Sequence, residues 1–116
     1  MTVRVLVIDD DPDIQRLERR ILQREGYEVV TAADDAQALA GIVKEPPDLI
    51  VADLNLLGRH GRDLRERLRA AGEARPALLV SSSADDGPPG VPYLRRPFAR
   101  TELVRAVEQA LATARP

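Results

Sequence analysis

Residues 4–13 read "RVLVIDDDPD", and this stretch decides how the rest of the chain is read. Val5, Leu6, Val7 and Ile8 are apolar without a break, as in a strand buried on both faces. The run ends in four acids within five positions: Asp9, Asp10, Asp11 and Asp13. Like charges this close repel, and burying an unpaired carboxylate is costly. A buried strand that delivers such a cluster needs a cation beside it.

Outward from there, the same alternation recurs. Strand-like runs are "VRVLVID" (3–9), "YEVVTA" (27–32), "DLIVAD" (48–53), "ALLVSS" (77–82) and, more weakly, "VPYL" (91–94). Between them apolar residues fall three or four apart, the helical period. Ile14, Leu17, Ile21 and Leu22 form the first such face, with Asp11 as N-cap, Pro12 at the first helical position and Gly26 just past the end. Ala36, Leu39, Ile42 and Val43 form the second, closed by Pro46-Pro47. Leu64, Leu68 and Ala71 form the third, closed by Gly72, and Leu103, Val107 and Leu111 the last, with Thr101 near its start. Strands alternating with helices predict an α/β fold, a parallel sheet covered on both faces. In the stretch "SSSADDGPPGVP" (81–92) the glycines and adjacent prolines argue against a regular helix.

Composition narrows the function. A chain of 116 residues is expected to form one domain, spanning 1–116. A net charge of −2 gives no reason to expect nucleic acid or an anionic membrane as partner, and 3% aromatics leave no base-stacking platform. No apolar run is long enough for a membrane span, and nothing after Met1 resembles a signal peptide, so the cytoplasm is the expected compartment. Without Cys there is no thiolate metal site.

In a parallel α/β sheet every strand's C-terminal end lies at one edge, where ligands bind. That edge collects Asp9 and Asp10 from the first strand, Asp53 from the third, Ser81 from the fourth, and Arg95 and Arg96 from the fifth. Three carboxylates without His or Cys make a hard, oxygen-only site suited to Mg²⁺. A carboxylate can also act as a nucleophile toward a phosphoryl group, and Asp53 stands alone at its strand tip. Asp11 and Asp13 read as a cap and a solvated turn.

"VIDDDPD", "DLIVADLNLLGRHG", "LLVSSS" and "YLRRPF", in this order, resemble the receiver domain of two-component response regulators. The resemblance covers essentially the whole chain. It implies a doubly wound five-stranded sheet of flavodoxin-like order 2-1-3-4-5, with the fourth helix reduced or missing. It implies Asp53 as phosphoacceptor for a histidine kinase or phosphotransfer protein. Mg²⁺ would be held by Asp9, Asp10, Asp53 and the backbone carbonyl of Asn55. Ser81 would be the switch hydroxyl, Tyr93 the aromatic that follows it, and Asn55 and Ser83 the positions that tune hydrolysis of the acyl phosphate. It implies a cis bond between Arg96 and Pro97, an unspecified downstream protein target, and allows a homodimer.

Two departures stand out. Arg96 replaces the family's usual Lys, so a wide planar fork stands where a compact ammonium is expected, and it should pair with Asp53 or Asp9. Only eleven residues separate Ser81 from Tyr93, roughly two helical turns fewer than usual. Leu57 and His60 also stand where the family often has Pro and Asp. The chain therefore reads as a phosphorylation-controlled signalling module or, alternatively, as a phosphorylation-independent receiver-like binding module. It reads either as a single-domain regulator or as part of a longer protein. An enzyme is not expected beyond catalysis of its own phosphotransfer and dephosphorylation. An Asp-nucleophile phosphatase would carry a second acid two residues after the nucleophile, where this chain has Asn55.

Overall fold

The computed structural model describes residues 2–53, 76–81 and 92–113. Its elements are β1 (Arg4–Ile8), α1 (Pro12–Arg24), β2 (Glu28–Ala32), α2 (Asp35–Lys44), β3 (Leu49–Asp53), β4 (Ala77–Ser81), β5 (Tyr93–Arg95) and α3 (Arg100–Thr113). The strands form one parallel sheet in the order β2-β1-β3-β4-β5, as the resemblance implies. The predicted helix around Leu64, Leu68 and Ala71 lies outside the described residues. So do residues 82–91, where a reduced fourth helix is expected.

Strand side chains alternate between the two faces, which explains the unbroken apolar runs. Val5, Val7, Leu49, Val51, Leu78 and Val80 pack with Ile21 and Leu22 of α1 and Leu103, Val107 and Ala110 of α3. Leu6, Ile8, Ile50, Ala52 and Leu79 pack on the other face with Ala38 and Ile42 of α2. Continuing the first alternation past the strand ends brings Asp9 and Asp53 to the α1 face.

The helix boundaries follow local chemistry. The Asp11 side chain accepts from the Asp13 amide, Pro12 opens α1, and Gly26 takes a positive φ of 89° just past its end. Asp34 and Gln37 form a reciprocal cap on α2: Asp34 accepts from the Gln37 amide, and the Gln37 side chain accepts from the Ala33 amide. At α3 the Ala99 amide donates to the Glu102 carboxylate.

Two helix faces differ from the sequence expectation. Leu17, placed with the apolar stripe of α1, is 51% exposed, while Glu18 is only 1% exposed. On α2, Val43 is 81% exposed and Ala36 is exposed, whereas Ala38 is fully buried. On both helices the buried face differs in part from the one that hydrophobicity alone selects. Helix α1 keeps Ile21 and Leu22 in the core but sets Glu18 inward in place of Leu17. Helix α2 keeps Ile42 but sets Ala38 inward in place of Val43. On α2 the small Ala38 lets the helix approach the sheet. On α1 this phase sets Gln15 and Glu18 toward the strand ends, where both are hydrogen-bonded.

This phase has a measurable consequence. Leu22→Ala should lower the unfolding free energy by about 3 kcal/mol, because it opens a cavity at a fully buried site. Leu17→Ala should lower it by less than about 1 kcal/mol. Urea denaturation of the two variants checks the difference, and equal losses would contradict this helix phase.

Candidate functional site

The strand register assembles the site. Ile8 pairs with Ala52, so Asp9 and Asp53 follow at adjacent strand ends. Asp53 pairs with Val80, so Ser81 lies one step beyond it, and Ser81 pairs with Arg95. Asp9 and Asp53 are buried and Asp10 is exposed. Carboxylate oxygens of these three acids lie within 4.8 Å of one another. Three carboxylate ligands with no imidazole or thiolate fit a hard divalent cation such as Mg²⁺.

Asp9 is held from both sides. Its Oδ1 accepts the Asp11 amide at 2.9 Å, closing the turn from β1 into α1. Its Oδ2 accepts Arg96 Nη2 at 2.7 Å. The Asp9 backbone is fixed as well: its amide donates to the Ala32 carbonyl, and the Gln15 side-chain amide donates to the carbonyls of Asp9 and Ala32. Arg96 is thus a cation supplied by the chain to the acids at the end of β1, and Asp9, one of the two partners expected for it, holds it at 2.7 Å. The Arg96–Pro97 peptide is cis, as the resemblance implies.

The same Arg96 Nη2 also lies 3.3 Å from Glu18 Oε1. Glu18 was not among the residues singled out from the sequence. Its signal there is a lone acid within an apolar stripe, four residues after Ile14 and three before Ile21. Burial is the largest influence on its carboxyl and pushes its pKa up, Arg96 opposes this, and Asp9 and Asp53 add to it. The result is about 7 against an ordinary 4.5. Arg96 stays protonated throughout: burial lowers its pKa, but the hydrogen bond to Asp9 and the charges of Asp9, Glu18 and Asp53 more than offset that. Its Nε is buried with no hydrogen-bond partner among the described residues, so the planar fork is only partly satisfied.

Other expected residues are placed as follows. Tyr93 is half-buried against the core on the α2 face. Arg95 is exposed, unlike its neighbour Arg96. Ser81 ends β4 beside these residues. Asn55, Leu57, His60 and Ser83 lie outside the described residues.

The family pattern of the response regulator receiver domain matches residues 5–108. The chain belongs to this family. It is 39% identical over 115 residues to the transcriptional regulatory protein PrrA of Mycobacterium tuberculosis, covering 93% of this chain and 49% of that protein. It is 32% identical over 129 aligned positions to the response regulator MprA of the same organism, covering 100% of this chain and 54% of the relative. The chain thus spans about half the length of these curated relatives. Among solved structures, the chemotaxis response regulator CheY4 of Vibrio cholerae superposes with a TM-score of 0.84 at 27% identity, covering 95% of this chain and 99% of that one. The Asp9, Asp10 and Asp53 cluster matches the usual phosphorylation site of receiver domains. A receiver domain is a signalling module rather than a true enzyme, and it implies a cognate histidine kinase. No helix among the described residues is long and apolar enough to cross a membrane.

The Glu18 carboxyl gives the receiver domain a pH dependence whose sign is fixed. The unfolded carboxyl titrates near 4.5 and the folded one near 7, so between these values the folded chain holds a proton that the unfolded chain has lost. This contribution to stability is fully present below pH 4.5 and is lost as the pH rises through 7. Glu18→Gln removes it. Relative to the parent, this variant should gain on the order of 3 kcal/mol of unfolding free energy between pH 4.5 and pH 8.5. Denaturant titrations across that range measure the difference, and a pH-independent difference would contradict the assignment.

Proposed function

We propose that this receiver domain is a phosphoacceptor, with Asp53 taking a phosphoryl group from a histidine kinase or phosphotransfer protein in a Mg²⁺-dependent step. The observation that carries the reading is the convergence of Asp9, Asp10 and Asp53 within 4.8 Å beside the half-buried Arg96 guanidinium. Asp9, Asp10 and Asp53, with the backbone carbonyl of Asn55, are the residues that would hold the ion. When bound, Mg²⁺ supplies positive charge that offsets the repulsion between carboxylate and phosphoryl oxygens.

The chain's own groups account for the rest. An Asp53 oxygen attacks phosphorus, the P–N bond of the donor's phosphohistidine breaks, and the imidazole departs with that electron pair. Arg96 brings a permanent positive charge to the same pocket, suited to phosphate oxygens. Ser81 is assigned as the hydroxyl that meets the phosphoryl group and Tyr93 as the aromatic that responds to it. The altered surface then signals to a downstream protein. Residues 1–116 would act as one receiver domain.

One observation favours a second reading, a binding module that signals without phosphate. Arg96 already occupies Asp9 at 2.7 Å, so the resting pocket is internally neutralised in part.

Labelling experiments separate the two. Acetyl phosphate or beryllofluoride should modify Asp53 only when Mg²⁺ is present, and Asp53→Asn should abolish modification. Mg²⁺ should raise the melting temperature, and Asp10→Asn should remove most of that rise. Arg96→Lys should speed labelling severalfold at saturating Mg²⁺, since a compact ammonium grips Asp9 less rigidly. A parent and a Lys variant that both fail to label would establish the second reading.

A further inference from the structure

We propose that Glu18 is a positioning residue for Arg96: it is the buried acceptor that keeps the guanidinium beside α1 when Asp9 turns to a divalent cation. The inference rests on the metal-dependent reading above and deepens it.

The geometry makes two demands on Asp9. Its two oxygens already serve the Asp11 amide and Arg96 Nη2, yet it is also one of the three acids of the cation cluster. A cation at Asp9 draws off electron density that Arg96 now uses, and it repels the guanidinium. Arg96 cannot answer by deprotonating. A half-buried guanidinium with a weakened partner needs a second acceptor within reach.

Glu18 meets this requirement. Its Oε1 lies 3.3 Å from the very nitrogen that Asp9 holds at 2.7 Å, so the transfer shortens a bond already begun and needs no rotamer jump. It comes from α1, outside the cluster of Asp9, Asp10 and Asp53, and it is as deeply buried as Asp9. Its hydrogen bond to Arg96 accounts for a carboxyl at this point of an otherwise apolar stripe. A side chain serving only the core would be aliphatic here.

The test follows the guanidinium directly. Hindered rotation about the Nε–Cζ bond, imposed by a bound carboxylate, separates the two Nη resonances in carbon-detected spectra of arginine-labelled protein. Free rotation merges them. The Arg96 signals are assigned by their loss in Arg96→Lys. At pH 8 the parent should show separated Nη resonances both without and with saturating Mg²⁺. Glu18→Gln should show them separated without Mg²⁺, where Asp9 suffices, and merged with it, and its Mg²⁺ affinity should fall severalfold. Glu18→Leu, which fills the same space without a polar atom, should behave alike and serves if the Gln variant fails to fold. Resonances that stay separated in both variants at saturating Mg²⁺, or that merge in the parent, overturn the proposal. A parent whose amides at residues 9–11 do not respond to Mg²⁺ overturns the metal-dependent reading and this proposal with it. A normal parent response with an unchanged Glu18→Gln overturns the proposal alone.

Discussion

The bond from Arg96 to Asp9 is the constraint around which this fold is arranged. Asp9 follows the buried run Val5, Leu6, Val7 and Ile8, so its carboxylate is delivered into the protein by four apolar residues that have nowhere else to go. One of its oxygens organises the turn into α1, and the other receives a guanidinium from the segment after β5. β1 and β5 are separated by β3 and β4 in the sheet. A single side chain therefore ties the first turn of the chain to the segment that leads into its last helix. Buried ion pairs of this kind add little net stability, because desolvation cancels much of the attraction. They penalise any arrangement that separates the partners, which specifies where the two segments meet.

Much of this architecture was legible because it is written in local signals. Four-residue apolar runs, Asp11 before Pro12, and Gly26 after a charged turn are read within a few positions of themselves, and the structure keeps each of them. The order of acids and bases at the strand ends follows from topology once the strands are parallel. Which neighbouring position of each helix turns inward was less legible. Leu17 and Glu18 are neighbours in sequence but lie about 100° apart on the helix, and hydrophobicity alone turns Leu inward. What turns Glu18 inward is Arg96, seventy-eight residues away. No window of local sequence contains both. Likewise Val43 outranks Ala38 on any apolar scale, yet the close approach of α2 to the sheet favours the smaller side chain.

Arg96 and Glu18 are best understood together. An ammonium in this position is a compact point charge that one carboxylate can largely satisfy, whereas a guanidinium presents donors in a fixed plane around a wider perimeter. The site satisfies Nη2 twice and leaves Nε buried without a partner among the described residues. A guanidinium here offers more donors than Asp9 alone accepts. Glu18 provides a further acceptor from outside the acidic cluster.

The arrangement also fixes how charge can change in the pocket. Asp9, Asp53 and Glu18 all act on the half-buried Arg96, and Asp10 stands beside them at the surface, so among the described residues of this pocket the acids outnumber the cation. The imbalance favours a further positive charge, and the exposed Asp10 marks the side from which a solvated ion can approach. Arg96 does not titrate, whereas Glu18 does so near neutrality. Protonation of Glu18 removes one negative charge from the α1 side and leaves Arg96 more dependent on Asp9. That strengthens the bond an incoming cation must weaken. On the proposed metal-dependent reading, the fixed guanidinium and an exchangeable ion would compete for the same carboxylate, and Glu18 would set the balance between them.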